Sequence, residues 1–291
     1  MLQFARSGKR LIVLGDPAGD TASFLKLLIE FHREADLYGY QCVFYQISGH
    51  YMMLYHDLGY RFFKMGEEAV VPLDTFTLSG KNMSGLRATF NRFAREGYTF
   101  ALSEPPHETQ LLEAVKEVSD AWLGKKKELG FSLGRFDEGY LSQAPIATLS
   151  NKEGKIVAFM SLMPVYEDGW LSVDLMHYSP DSPSGIMDAT FIHLFRWAKE
   201  KGYHYFNIGI APLSNVGYAQ QAFLSERIAA TIVNNIRYIY SFKGLRKFKN
   251  KYHPIWEGKY LAYRKNRPLP GTMLIVAHLI RHSHKKAAEA K

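Results

Sequence analysis

Two stretches of the chain, 163 residues apart, place apolar and polar residues in the same order. Each has a short apolar strand pattern, a helix pattern with apolar residues three and four positions apart, and a second strand pattern, at 10–47 and at 171–210. The residues that punctuate the two patterns also match: Pro17 with Pro180, and Gly39-Tyr40 with Gly202-Tyr203. The match predicts a duplicated strand–helix–strand unit, and two unrelated units of this kind are the alternative.

Further elements are predicted around the repeat. Helix patterns span 79–96, 108–123, 219–233 and 273–284, and strand patterns span 144–150 and 155–164. The first of these helices has Leu86, Phe90 and Phe93 on one face and basic residues on the other. We expect an α/β (α+β) fold with two tandem domains, 1–78 and 98–291, joined by a basic linker helix within 79–97.

Composition agrees with two packed domains. The chain has 291 residues, of which 47% are hydrophobic and 14% aromatic, and this is ample for packed cores. Cys42 is the single cysteine, which excludes an intrachain disulfide and favours a reducing compartment. No apolar run near either end approaches the ~20 residues that cross a membrane. Because the first strand pattern begins close to Met1, we expect a fragment of a longer protein.

Positive charge is concentrated near the C-terminus. The net charge is +8, and residues 241–265 contain eight Lys and Arg residues against one acid, Glu257. Aromatic residues such as Phe248, Tyr252 and Trp256 are interleaved with these cations. Cations bind phosphates and aromatic faces stack on unpaired bases, so the segment fits a polyanion with exposed bases. An anionic membrane surface fits equally well, and a solvated basic face is the alternative.

An acid interrupts the first strand of the second repeat. Asp174 stands among apolar residues where we expect this strand to end, and a loop of small residues, 179–185, follows. Ligands in open α/β sheets bind where strands end and helices begin. Desolvation would raise the pKa of an inward-facing carboxyl group toward the range of a general base. An Asp at the sheet edge, hydrogen-bonded to a turn, is the alternative.

This order of elements resembles the core of the GNAT acyltransferases, in which two strands separate around the acyl group. Acetyl-CoA-dependent members carry Gln/Arg-x-x-Gly-x-Gly/Ala, whose backbone N–H groups hold a pyrophosphate. The nearest match, Gln46-Ile-Ser-Gly49-His-Tyr51, lacks the final small residue, so we expect no CoA and no other cofactor. His278 and His282 lie four residues apart without an accompanying acid or cysteine, so we expect no metal.

Longer motifs resemble a narrower family. These motifs are Gly66-Glu-Glu-Ala69, Phe131-Ser-Leu-Gly-Arg-Phe136, Asp174-Leu-Met, Phe206-Asn-Ile-Gly-Ile-Ala-Pro-Leu-Ser-Asn-Val-Gly217 and Tyr240-Ser-Phe-Lys-Gly-Leu-Arg-Lys-Phe-Lys249. Together they resemble the catalytic domain of the phosphatidylglycerol lysyltransferases, the multiple peptide resistance factor family. The resemblance covers nearly the whole chain, to about Arg264.

The resemblance implies an activity and partners. Lysine would pass from lysyl-tRNA to a glycerol hydroxyl of phosphatidylglycerol, which would reduce the negative charge of the membrane and give resistance to cationic peptides. It also implies an upstream multi-pass membrane portion, a location at the cytoplasmic face of the bacterial cell membrane, and a tunnel that lipid and tRNA enter from opposite sides. The alternatives are alanyl transfer, a Fem-type transferase that builds peptidoglycan cross-bridges from aminoacyl-tRNA, and a module that only binds tRNA or anionic lipid.

Site roles follow where the motifs match. Asp174 falls on the family's active-site Asp and would accept the proton of the glycerol hydroxyl; the tRNA 2′-hydroxyl and the aminoacyl amine are alternative bases. Lys249 falls on the second Lys of a Phe-Lys-x-Lys motif and would stabilise the tetrahedral oxyanion. Glu226, Arg135 and Tyr140 are expected to bind substrate. The expected contacts to tRNA phosphates are Lys243, Arg246, Lys247 and Lys251.

His177 departs from the family pattern. The family usually reads Asp-Leu-Met-Arg, and this chain has His177 in place of that Arg. An Arg would hold an anion at any pH, whereas a His does so only below its pKa. We expect His177 to act as a pH-dependent anion contact in the catalytic site, and a neutral packing role is the alternative.

Overall fold

The computed structural model describes residues 1–126, 128–163, 169–212, 214, 216, 242–264 and 268–282, without the side chains of residues 242 and 243. The helix predicted at 219–233 and the expected substrate contact Glu226 lie outside the described residues.

The described strands and helices include the predicted ones that lie within the described residues. The strands are β1 Gln3–Ser7, β2 Arg10–Leu14, β3 Gln41–Ser48, β4 Tyr60–Pro72, β5 Thr99–Ser103, β6 Ile146–Ser150, β7 Ile156–Met163, β8 Trp170–Tyr178, β9 Tyr205–Pro212 and β10 Ile255–Arg264. The helices are α1 Phe24–Leu37, α2 Met52–Asp57, α3 Ser84–Arg95, α4 Thr109–Leu123, α5 Glu138–Leu141, α6 Ile186–Glu200, α7 Phe242–Asn250 and α8 Leu269–His282. β1, α2, α5 and β10 are among the elements additional to the prediction.

Both predicted stretches fold as parallel strand–helix–strand units, which agrees with a duplicated unit and equally with two unrelated units of this kind. β2 and β3 pair in parallel with α1 between them in sequence, and β8 and β9 do so with α6 between them. Both helices are followed by a glycine with positive φ, Gly39 at 68° and Gly202 at 86°. Glycine adopts this conformation without a Cβ clash, and therefore stands where each chain turns from helix into strand.

The strand that follows each repeat pairs with the other repeat. The sheet order is β1-β2-β3-β10-β4-β9-β8-β7-β6-β5. β4 follows the first repeat but pairs with β9, and β10 follows the second repeat but pairs with β3. The two exchanged strands pair with each other from Ile255–Val70 to Arg264–Tyr60. The described strands therefore form one continuous sheet. The boundaries 1–78 and 98–291 stay a prediction, since this exchange connects the two parts.

Helices cover both faces of the sheet. On one face, α6 packs on the large core around Phe191 and Phe195, with α3 and α7 beside it. On the other face, α4 packs on Phe159 and Leu175 of the neighbouring core. α1 and α8 likewise pack on opposite faces of β3, because alternate side chains of a strand point to opposite faces.

Two arginines of the basic linker helix α3 form hydrogen bonds within the protein. Arg87 of α3 donates to the carbonyl oxygens of Leu78 and Gly80, and Arg92 donates to the carbonyl oxygen of Ser184 just before α6. These bonds join the linker to its own N-terminal turn and to the second repeat. Arg95 is exposed at the end of the helix.

The basic aromatic segment lies in the centre of the sheet. β10 is flanked by β3 and β4, and Tyr252, between α7 and β10, is 1% exposed with its ring against Phe191 and Phe195. The sequence suggested a basic tail that binds a polyanion or is solvated, because the segment contains eight Lys and Arg residues against one acid. Its interleaved aromatic residues instead supply the apolar surface that packs against α6.

Phe195 offers a test of the core beneath α6. Its ring is fully buried and contacts Phe76, Phe191 and Phe206, so Phe195→Ala should lower the free energy of unfolding by about 3–5 kcal/mol. The control Leu274→Ala removes a side chain of a residue that is 54% exposed and should change it by under about 0.5 kcal/mol. Denaturant titration measures both, and equal effects would contradict this packing.

Candidate active site

A gap opens between the two parallel strands of the second repeat. β8 and β9 pair only from Trp170–Tyr205 to Ser172–Asn207. Beyond these residues β8 continues along β7, and β9 continues along β4. The strands therefore separate at their carboxyl ends, where ligands bind in sheets of this kind.

Asp174 lies at a β-bulge directly after this separation. The register of β8 against β7 shifts between the Met176–Met160 and Val173–Leu162 pairs, so β8 carries one extra residue there. The Leu175 N–H donates to the Ser161 hydroxyl at 3.0 Å. The prediction that the strand ends at Asp174 is wrong, because β8 continues to Tyr178. Bulges redirect side chains near functional sites: Val173 faces α6, whereas Leu175 faces α4.

Two hydrogen bonds hold the Asp174 carboxylate. The Gly134 N–H donates to Oδ1 at 3.0 Å, and the Tyr140 hydroxyl donates to Oδ2 at 2.8 Å. Burial raises the pKa of Asp174, and the bonds from Tyr140 and Gly134 oppose this rise. A Cβ at residue 134 would overlap the carboxylate, so only glycine permits this approach. The carboxylate is thus oriented, partly desolvated and ionisable, as a general base requires.

Residues 130–137 form the segment that contains Gly134, the backbone donor to Asp174. We name this segment the Asp174 loop. The Glu128 carboxylate accepts from the Phe136 N–H at 3.0 Å. The Asp137 carboxylate caps the N-terminus of α5 by accepting a hydrogen bond from the Tyr140 N–H at 2.9 Å. Tyr140 therefore lies in the first turn of α5. Arg135 lies 3.6 Å from the Asp137 carboxylate. Of the expected substrate contacts, Tyr140 therefore touches Asp174, whereas Arg135 faces Asp137 and is partly exposed.

Lys249 approaches the other strand of the gap from α7. It is 3% exposed, and its Nζ donates to the Ile210 carbonyl oxygen of β9 at 2.8 Å. Burial lowers the pKa of Lys249 to about 7, against the opposing charge of Glu68. A buried ammonium with this pKa exchanges its proton near neutral pH, which suits a group that stabilises a transient negative charge.

Two acids of β4 organise the cations around the gap, although the sequence assigned them no role. Glu67 is buried and pairs with Lys64 at 2.7 Å and with Arg246, and Glu68 pairs with Lys259 at 2.8 Å. The sequence contained one indication of this role, namely two adjacent acids, Glu67 and Glu68, within the largely apolar strand β4. Buried charges need partners. Lys64 lies three residues from Glu67, whereas Arg246 and Lys259 come from distant parts of the chain.

The expected tRNA contacts fall into separate groups. Arg246 pairs with Glu67 and lies over the Trp256 ring. Lys251 pairs with Asp188 of α6 at 2.8 Å. Lys247 is exposed, and the side chain of Lys243 is outside the described part of the structure. The structure thus gives two of the four cations an internal partner.

His177 lies in the core on the α4 face, away from solvent. It is 5% exposed, its ring stacks on Trp122 at a centroid distance of 4.0 Å, and its Nδ1 lies 3.0 Å from the Ser119 hydroxyl. Burial lowers the pKa of His177 to about 4, so the ring is neutral at physiological pH. This environment does not fit the expected pH-dependent anion contact and favours the packing role.

Residues 1–263 match the family described as "Phosphatidylglycerol lysyltransferase, C-terminal". The chain belongs to this family. The phosphatidylglycerol lysyltransferase of Bacillus subtilis is 58% identical over 98% of this chain and 33% of its own length. That of Staphylococcus haemolyticus is 45% identical over 97% of this chain and 34% of its own length. The chain spans about a third of the length of these relatives.

Solved structures agree with this membership and with the α/β fold. L-PGS from Bacillus licheniformis is 57% identical, with a TM-score of 0.86 over 96% of this chain and 85% of that chain. FemX is 12% identical, with a TM-score of 0.58 over 93% of this chain and 85% of that chain, and thus shares the fold alone.

Within the described ranges, no three His, Cys, Asp or Glu residues cluster as metal ligands do. None of the helices in those ranges has the length and apolar character of a membrane span.

The environment of Lys249 predicts a measurable titration. Its ammonium should titrate with a pKa of about 7, and Glu68→Gln should lower this value because the carboxylate favours the charged form. Lysine ¹³Cε NMR measures the pKa, with Lys249→Met assigning the signal. Glu153→Gln, an exposed acid in the turn between β6 and β7, is the charge-matched control and should leave it unchanged. An unchanged or raised pKa in Glu68→Gln would show that the two groups do not interact.

Proposed function

We propose that this chain transfers lysine from lysyl-tRNA to the glycerol hydroxyl of phosphatidylglycerol. The observation that carries the proposal is the Asp174 carboxylate, held by Gly134 and Tyr140 just after the residues where β8 and β9 separate. Family membership supplies the substrate class, since the relatives are named phosphatidylglycerol lysyltransferases. Relatives of about three times the length are consistent with an additional membrane portion, and the proposal includes a location at the cytoplasmic face of the membrane. Lysyl-phosphatidylglycerol would reduce the negative charge of that membrane.

The reaction exchanges one ester for another. The glycerol oxygen attacks the aminoacyl carbonyl carbon while Asp174 accepts the hydroxyl proton. The resulting tetrahedral intermediate loses the 3′ oxygen of the tRNA ribose, which receives the proton from Asp174. Because an ester replaces an ester, the step needs no nucleotide cofactor. A raised pKa makes Asp174 a stronger base than an exposed carboxylate.

Lys249 stabilises negative charge in this proposal. A preorganised cation in a water-poor site stabilises an oxyanion more strongly than an exposed one. Its bond to the Ile210 carbonyl oxygen fixes the ammonium beside β9, on the strand opposite Asp174. The acid and the cation therefore flank the gap from its two strands.

The tRNA contacts are proposed on the face that carries α3, α6 and α7. Arg95, Arg196 and Lys247 are exposed, one on each of these helices. α4, which packs on the opposite face, exposes three acids, Glu113, Glu117 and Asp120, against one cation, Lys116. A polyanion is attracted to the first face and repelled by the second.

Asp174→Asn tests the proposed base. The substitution keeps the shape of the side chain and removes the carboxylate, so transfer should fall by about 10²–10⁴-fold. The measurement uses the purified chain, phosphatidylglycerol vesicles and labelled lysyl-tRNA, with lipid extraction. His177→Asn, a substitution of a buried residue three positions after Asp174, is the control for activity lost through disruption of the fold. Asp174→Asn activity within about tenfold of wild type would exclude the general-base role.

Parallel reactions separate the alternatives. Labelled alanyl-tRNA in place of lysyl-tRNA tests the amino acid, and a peptidoglycan precursor in place of the lipid tests a Fem-type activity. Loss of charged tRNA in a single turnover distinguishes either enzyme from a module that only binds.

The tRNA surface predicts a salt dependence. Replacing Arg95, Arg196 and Lys247 together by Ala should flatten the log–log salt dependence of tRNA binding by roughly two units if all three contact phosphates. Lys251→Ala is not equivalent, because Lys251 pairs with Asp188. Lys116→Ala, on α4 of the opposite face, should leave the slope unchanged. Identical slopes for the triple variant and wild type would make the basic face a solvated surface only.

A further inference from the structure

The C-terminal end of α7 is tied to α6. Asp188 lies buried in the first turn of α6, and each of its carboxylate oxygens accepts a hydrogen bond. The Tyr252 hydroxyl donates to Oδ1 at 2.7 Å, and the Lys251 ammonium donates to Oδ2 at 2.8 Å. Lys251 and Tyr252 directly follow α7, which ends at Asn250. One carboxylate of the second repeat therefore holds the end of the helix that carries Lys249.

A carboxylate is unusual on this face of α6. Its buried neighbours in the helix are mainly apolar, such as Ala189, Phe191 and Ile192. A buried carboxylate is costly without donors, and apolar residues of similar volume often give equal or greater stability. A hydrogen-bonded carboxylate instead fixes the distance and direction of its donors. The two bonds of Asp188 therefore favour a role in orienting the end of α7.

The tie reaches Lys249 through the last turn of α7. The Tyr252 N–H donates to the Lys249 carbonyl oxygen at 3.1 Å. The Tyr252 ring packs against Phe191 of α6 and Phe248 of α7. At its other end, the Lys249 side chain donates to the Ile210 carbonyl oxygen of β9 at 2.8 Å. Lys249 is thus held at its backbone by Tyr252 and at its ammonium by β9.

We propose that Asp188 is a positioning residue for Lys249, acting through Tyr252 and Lys251. The inference rests on the proposed function, in which Lys249 stabilises the oxyanion. A lysine side chain is long and flexible, so the place of its ammonium depends on where the helix end is fixed. Reaction rates fall steeply when a catalytic group shifts by about 1 Å. The second repeat would then supply both Asp174 and the carboxylate that orients the opposing cation.

The groups around the Lys249 ammonium determine what a displacement would do. Burial lowers its pKa, and among the described residues Glu68 of β4 is the charged group that opposes this effect. Glu68 itself pairs with Lys259 of β10. An ammonium that leaves its buried position regains water, so its pKa rises from about 7 toward its ordinary value. Because the cation is then lost only at higher pH, the basic limb of the pH–rate profile moves to higher pH.

Tyr252→Phe and Asp188→Asn test the proposal. The first keeps the packed ring and removes only the hydroxyl, and the second keeps the shape of the side chain and removes its charge. Each should lower kcat for lysyl transfer by about fivefold to fiftyfold with KM for the lipid unchanged. Each should also raise the pKa of Lys249, measured by lysine ¹³Cε NMR, and move the basic limb to higher pH. Tyr55→Phe is the matched control, because the fully buried Tyr55 hydroxyl donates to the Asp16 carboxylate at 3.0 Å; both kcat and this pKa should stay at their wild-type values.

Combination with Lys249→Met shows whether the tie acts through Lys249. In this background Tyr252→Phe should cause no further loss of the residual transfer, because the residue that it positions is already absent. A loss as large as that in the wild-type background would overturn the positioning role. An equal loss of kcat in Tyr55→Phe would overturn it too, since any buried Tyr–Asp bond would then have the same effect.

The remaining outcomes separate this inference from the proposed function. Full activity of Lys249→Met would remove Lys249 from the proposed mechanism, and the positioning role with it. An inactive Lys249→Met together with wild-type kcat in both Tyr252→Phe and Asp188→Asn would remove the positioning role alone, whether or not the pKa of Lys249 changes. Loss of kcat in these two variants with a raised Lys249 pKa, beside a normal Tyr55→Phe, is the expected result.

Discussion

The antiparallel pairing of β4 with β10 is the contact on which the rest of the architecture depends. Each strand follows one repeat and pairs with the other, so neither repeat completes its share of the sheet alone. This pairing brings Glu67 and Glu68 of β4 beside Lys259 of β10 and beside the cations of α7. A buried carboxylate without a cation is costly, so the strand exchange and the charge pairing support each other.

The candidate site arises where this sheet is interrupted. β8 and β9 separate after three residue pairs. Asp174 follows at a bulge of β8, and its carboxylate is bound by the Gly134 N–H of the Asp174 loop. Lys249 reaches β9 from α7. A regular sheet would pair these backbones fully and leave no room for an acyl group. The irregularities in the strands therefore create the site, and the regular strands on either side hold it in place.

The positive charge of the chain has two distinct uses. Arg246, Lys251 and Lys259 pair with buried or partly buried acids and join elements distant in sequence. Arg95, Arg196 and Lys247 instead remain exposed on the face of α3, α6 and α7. A linear count of cations cannot separate these groups, because the pairing acids stand far away in the chain. His177 looked like an anion contact because it stands where the family pattern has an Arg, and the Trp122 ring and Ser119 hydroxyl that bury it stand far away in the chain.

The sequence by itself predicted the two strand–helix–strand units, their glycine helix ends and the α/β fold, because periodicity and turn residues act over short distances. Its longer motifs indicated the family by resemblance. It also marked Asp174, since an acid in an apolar strand stands out locally. Only the tertiary structure decided that β10 lies in the centre of the sheet and that Asp174 sits at a bulge within its strand. Only that structure showed that His177 is buried against Trp122. These facts depend on which distant strands pair and which faces meet, and backbone hydrogen bonds between strands leave no local mark in the sequence.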